Sequence, residues 1–265
     1  MTGLVKKLLI GASVVVGAST MGAIPTYAAS LTGIQFNTDD IEVFYADDPI
    51  TALTDDNPLS NVELGASTED PLANVGFSGM LGGKEVKVET VTAADWAIFG
   101  DQWLTDFTAA YSELGGLATT IGNGIMSMGA TRFGDPNVGG FTFDESTGEY
   151  QLDLIGHYNV LNAPYLQVPE YASMVSMLNL MLGGNPLQVS EIAKVTIDGV
   201  ENYAYSFSAT DTGFVAPDGS SHSGLYSWTF QGEPVQSVPE PSTMLGLMAV
   251  GGLATLSRRK SRNKA

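Results

Sequence analysis

"GGFTFDESTGEYQLDLIGHYNV", residues 139–160, is the stretch that decides the fold. Phe141 and Phe143 alternate with polar neighbours, a polar run from Asp144 to Gly148 interrupts them, and Tyr150, Leu152 and Leu154 resume the alternation. Period-two apolar residues on both sides of a glycine-bearing turn specify an antiparallel hairpin with one buried face. The pattern recurs along the chain. "AKVTIDGVENYAYSFSA", residues 193–209, carries Val195 and Ile197, an Asp198-Gly199 turn, and Tyr203, Tyr205 and Phe207 on one face. "GLYSWTFQG", residues 224–232, adds Tyr226, Trp228 and Phe230, and "GKEVKVETV", residues 83–91, adds Val86, Val88 and Val91.

Two segments change period. "TAADWAIFGDQWLTDFTAAYSELGG", residues 92–116, spaces Trp96, Phe99, Trp103, Phe107, Tyr111 and Leu114 three or four apart, with Thr92 as N-cap, Asp95 at the capping-box position and Gly115 at the end. "VPEYASMVSMLNLMLGG", residues 168–184, predicts a second helix entered at Pro169 and stopped at Gly183, with Tyr171, Met174, Met177, Leu178 and Met181 on one side. The expected fold class is therefore β-rich α+β, an antiparallel β-sandwich-like domain with two packed helices. Tyr203, Tyr205, Tyr226 and Trp228 have two readings, as core residues or as an exposed platform on which sugar rings stack.

Charge is distributed unevenly. The chain has 29 acidic and 11 basic residues, yet seven of the basic ones lie at the ends. Between Ser30 and Val238 only Lys84, Lys87, Arg132 and Lys194 oppose 28 carboxylates, leaving 24 negative charges uncompensated. Such a field repels phosphate backbones, so nucleic acid is excluded as a partner. No cysteine is present, which removes thiolate metal sites, iron–sulfur clusters and cysteine nucleophiles.

The ends carry addresses. Lys6 and Lys7, the apolar stretch Leu8 to Ala23, Pro25 and then Thr26-Tyr27-Ala28 read as a signal peptide, with cleavage by signal peptidase expected between Ala28 and Ala29 or next at Ser30, an uncleaved membrane anchor being the competing reading. At the other end Met244 to Leu256 is a 13-residue apolar run. As a helix it rises about 20 Å, short of the ~30 Å hydrocarbon core, and reads as a short C-terminal transmembrane helix. The basic cluster that follows stays on the cytoplasmic side, so the acidic middle lies outside the cytoplasm.

Val238-Pro239-Glu240-Pro241-Ser242, the glycine-containing apolar run, and the cluster Arg258, Arg259, Lys260 and Arg262 together resemble the PEP-CTERM sorting signal of Gram-negative bacteria and cyanobacteria. The two prolines keep the tripeptide extended and open to a protease. The resemblance implies recognition by an exosortase that cleaves near Pro239, Glu240 and Pro241, a transient inner-membrane tether, and delivery to the envelope, the surface or an extracellular polysaccharide matrix. It implies no activity for the domain that is sorted. The organisation expected is signal peptide over residues 1–28, acidic β-rich domain over 29–236 and sorting signal over 237–265.

Catalytic motifs fail on their residues. Gly76-Phe77-Ser78-Gly79-Met80 lacks the final glycine of a nucleophile elbow, and Gly122-Asn123-Gly124 lacks the last glycine of a dinucleotide loop. Only His157 and His222 are available for imidazole chemistry. Asp47, Asp48, Asp55 and Asp56 are candidate calcium ligands without an EF-hand pattern, solvated turns and helix caps being the competing reading. The expectation is a non-enzymatic surface protein with no cofactor beyond that calcium. The alternatives are an envelope glycoside hydrolase using a carboxylate pair, and a simple membrane-anchored structural protein.

Overall fold

The structure is a computed structural model that describes residues 28–68, 71–128, 133–214 and 221–232. Twelve strands in these residues form two sheets, every pairing antiparallel. The first sheet has the order β11 (Ala209–Asp211), β12 (Gly224–Gln231), β8 (Glu149–Gly156), β7 (Asn137–Asp144), β4 (Asn61–Leu64), β3 (Ile41–Phe44), with β1 (Ala28–Ser30) also on β7. The second has the order β10 (Val200–Ala204), β9 (Ala193–Ile197), β6 (Lys84–Glu89), β5 (Gly76–Leu81), β2 (Thr32–Phe36).

The β7–β8 hairpin forms as its alternation dictates. Phe141 faces Leu152 and Phe143 faces Tyr150 across the ladder. The turn is closed by Asp144, whose Oδ1 accepts from the Ser146 and Thr147 amides, while Gly148 takes the positive φ that lets its amide return to the Asp144 carbonyl at 2.7 Å. The β9–β10 turn puts Asp198 and Gly199 both at positive φ, the backbone of a tight two-residue hairpin. Val86, Val88 and Phe77 from one sheet and Phe141, Phe143, Leu152 and Trp228 from the other belong to a single core.

Among the described residues four α-helices of at least one turn accompany the sheets, where the sequence pattern specified two. The first expected helix is α2 (Ala93–Ala110), with the Thr92–Asp95 capping box formed; it ends four residues before the expected Leu114, a 3-10 turn over Ser112–Leu114 leading to Gly115, and all six apolar residues predicted for the stretch are buried. The second is α4 (Ala172–Met181), which lacks a side-chain cap and buries Leu178 but leaves Tyr171, Met174, Met177 and Met181 exposed. The one-sided stripe thus splits, Leu178 facing the core and the other four facing out. The helices not foreseen are α1 (Pro49–Thr54), capped by Asp48 with proline in its first turn, and α3 (Gly116–Met128). Around α2 a second core gathers Trp96, Trp103, Phe107, Tyr203, Tyr205 and Phe207. No helix among the described residues is long and apolar enough to cross a membrane; the signal segment and the Met244–Leu256 run lie outside them.

Candidate functional site

The most unusual chemistry among the described residues is a carboxylate group where the two sheets meet. The segment leading into β7 is pinned from three sides. The Phe133 carbonyl accepts from the Ile192 amide at 2.7 Å, the Gly134 carbonyl from Val91 at 2.8 Å and the Pro136 carbonyl from Leu64 at 3.1 Å. These bonds hold Asp135, 8% exposed, within electrostatic reach of Glu191, which is also within reach of Glu63, paired in register with Asn137. Glu191 Oε2 accepts from the Asn137 backbone amide at 2.8 Å and from its side-chain amide at 3.4 Å.

Burial pushes the Glu191 carboxyl well above its ordinary range, and the negative charges of Asp135 and Glu63 push the same way, against the Asn137 amide bond that favours the ionised form. A carboxyl inclined to keep its proton beside other carboxylates is the electrostatic arrangement of an acid–base pair, and also of a strained structural joint.

A second buried carboxylate behaves oppositely. Asp95, 4% exposed, receives Lys194 Nζ at 3.0 Å and the Tyr203 hydroxyl at 3.4 Å on Oδ1, and the Thr92 amide, Thr92 hydroxyl and Asn74 amide on Oδ2. Desolvation works to raise its pKa, but the bonds from Thr92, Asn74 and Lys194 outweigh it and hold the carboxyl below its usual range. The Thr92 bonds cap α2 itself, while those from Lys194, Tyr203 and Asn74 join it to the second sheet and to the loop before β5, so this cluster is a joint with its donors committed.

Asp48 Oδ1 accepts from the Ile50 and Thr51 amides, and Asp55 accepts from the Asn57 amide and the Ser60 hydroxyl. Asp47 and Asp56 flank these without joining a metal cluster, and no three His, Asp or Glu among the described residues are arranged to hold a metal ion. The aromatic platform is overturned: Tyr203 and Tyr205 are 6% exposed, Trp228 2% and Tyr226 none, because strand alternation turns them into the two cores. His222 is buried with its ring 4.8 Å from Phe44, and His157 lies 6.3 Å from Tyr165, so the two histidines sit in separate aromatic settings.

Sequence reasoning missed the Glu63–Asp135–Glu191 group because its members lie 72 and 56 residues apart in a chain rich in carboxylates. The only signal was Glu191 between the apolar runs before and after it.

Ala29 pairs with Phe143 in β1, while Ala28 stands opposite Asp144. Pro239, Glu240, Pro241, Arg258, Arg259, Lys260 and Arg262 lie outside the described residues. No curated protein and no solved structure matches the chain. Residues 237–262 do match a family model, that of the PEP-CTERM protein-sorting motif, and no family is assigned to the domain before them. The chain thus carries a PEP-CTERM sorting motif at its C-terminal end, which implies processing by an exosortase and sorting to the envelope or surface of a Gram-negative bacterium.

Proposed function

We propose that this is a non-enzymatic surface protein, exported by its signal peptide, tethered through Met244–Leu256 until an exosortase cuts near Pro239-Glu240-Pro241, and then working in an extracellular polysaccharide matrix. The observation that carries the reading is the sorting motif at residues 237–262. The uncompensated carboxylates of the middle domain support it, since a strongly acidic surface stays soluble among anionic polymers and avoids cytoplasmic nucleic acid. The shared core of the two sheets supports a sandwich arrangement for that domain.

Intact-mass measurement on protein recovered from the envelope and medium of its host tests the sorting. A mass lacking the first 28 residues and everything beyond the Pro-Glu-Pro region is expected. A mass that retains residues 244–265 would leave a plain membrane anchor instead.

We read the domain as working without a resident cofactor, the aspartates between 47 and 56 serving as caps and turn acceptors. Calcium then leaves the melting temperature where sodium at equal ionic strength puts it, and a specific calcium shift would restore those residues as ligands.

The displaced carboxyl of Glu191 beside Asp135 favours one rival, a glycoside hydrolase. Release of reducing ends from host polysaccharide, lost in Glu191→Gln, would establish it. The non-enzymatic reading expects no release from either protein.

A further inference from the structure

Helix α4 has more apolar surface than its core uses. From Ala172 to Met181 the helix contains no charged residue. On a helical wheel its large apolar side chains spread over an arc of roughly 220° at 3.6 residues per turn, interrupted by Ser173 alone. Val175, Leu178 and Leu182 occupy one side of that arc and pack into the α2 core. The rest faces outward: Met174, Met177 and Met181 are about two-fifths exposed and Leu180 is 82% exposed, and Tyr171, the residue before the first turn, is 44% exposed at the helix's start. Five large apolar side chains on one short helix make a patch of ~500 Å², the size that marks an interaction surface on a soluble protein.

Charge selects the occupant. Between Asp153 and Glu191 the chain has a single carboxylate, Glu170, and no lysine or arginine, whereas the rest of the domain is densely acidic. Two copies of such a domain repel each other wherever their acidic faces meet, and α4 offers a face where they can approach without that cost. A basic partner would seek the acidic faces. A bilayer surface is held by interfacial helices that place Lys or Arg beside their apolar stripe, and α4 has neither.

We propose that α4 is a homodimer interface, in which the exposed arcs of two copies pack against each other about a two-fold axis. Two such patches bury ~1,000 Å², at the lower edge of specific complexes, so the dimer is weak and forms where the protein is concentrated. Methionine side chains, flexible and polarizable, let the two arcs fit without a preformed groove. The proposal is independent of the sorting reading.

The absence of cysteine from the chain makes the test direct. Met177→Cys in the full chain, treated with a bis-maleimide in the producing cells, is expected to give a covalent species of twice the monomer mass. The yield should be at least tenfold above that of Ser146→Cys, a site on the acidic β7–β8 turn. Adding Leu180→Glu, at a position too exposed to threaten folding, should lower the yield at least fivefold. Equal yields at the two cysteine positions, a dimer indifferent to Leu180→Glu, or cross-linking to a protein of another mass would each overturn the proposal. So would Leu180-dependent flotation with neutral phosphatidylcholine vesicles unaccompanied by a dimer.

Discussion

Glu191 is held where an ionised carboxylate is unwelcome, by burial first and by Asp135 and Glu63 second. Its folded pKa stands above the unfolded value of about 4.5, so the favourable contribution of the protonated form is complete below that value. It is lost as pH rises through the folded pKa, and at neutral pH the domain bears an electrostatic penalty. Glu191→Gln keeps an oxygen acceptor for the Asn137 amide and removes the charge. The substitution should raise Tm at pH 7.5 by about 2–4 °C, the shift that ~1 kcal/mol produces in a domain of this size. The gain should shrink toward zero at pH 4. A Tm lowered at both pH values would show that the ionised carboxylate is the form the fold requires. Asp95 illustrates the converse: buried at 4% exposure, it is surrounded by donors, and its charge is the favoured state.

At the scale of elements, α2 and α3 approach closely because each offers a glycine to the other. A Cβ on Gly122 would come within 2.5 Å of Leu104 and 3.0 Å of Phe107, and one on Gly100 within 2.8 Å of Met126. Gly124, one turn position away, would meet nothing within 4 Å. Gly122→Val should therefore destabilise the domain by about 1–3 kcal/mol through overpacking. Gly124→Ala should stabilise it by up to ~1 kcal/mol, because only the helix propensity changes. Urea denaturation of both variants checks the pair, and equal effects would mean that the α2–α3 contact is looser than its geometry indicates. The same glycines explain why α3 was hidden in the sequence: "GLATTIGNGIMSM" has poor intrinsic helix preference and is helical because α2 supplies a surface. By contrast α2 was legible in its cap and its apolar spacing, although it ends at Ala110 and a 3-10 turn, Ser112–Leu114, carries the chain on to Gly115. The α4 sequence gave the helix but not its orientation. An apolar arc that wide cannot say which part of itself faces inward.

For the whole molecule, alternation located β6 to β10 and β12 but not β1 to β5 or β11, and the β7–β8 and β9–β10 pairings followed from turn chemistry. The contacts of β4 with β7 and of β6 with β9 join segments far apart in the chain, and no local pattern encodes them. The Glu191 group depends on those contacts, so it was illegible for the same reason. Net charge is the global property that sequence did reveal. Its excess of carboxylates works against compaction, and the exposed ion pair of Lys84 with Asp198 at 3.9 Å offsets little of it. Raising NaCl from ~10 mM to ~150 mM shortens the screening length from about 30 Å to about 8 Å, below the spacing of many surface carboxylates. The buried Lys194–Asp95 pair, at 3.0 Å, is scarcely screened. Repulsion should therefore fade while the joint persists, and Tm should rise by several degrees over that range, at about 2–4 °C per kcal/mol relieved. A melting temperature that falls with salt would mean that attractive pairs at the surface outweigh the repulsion.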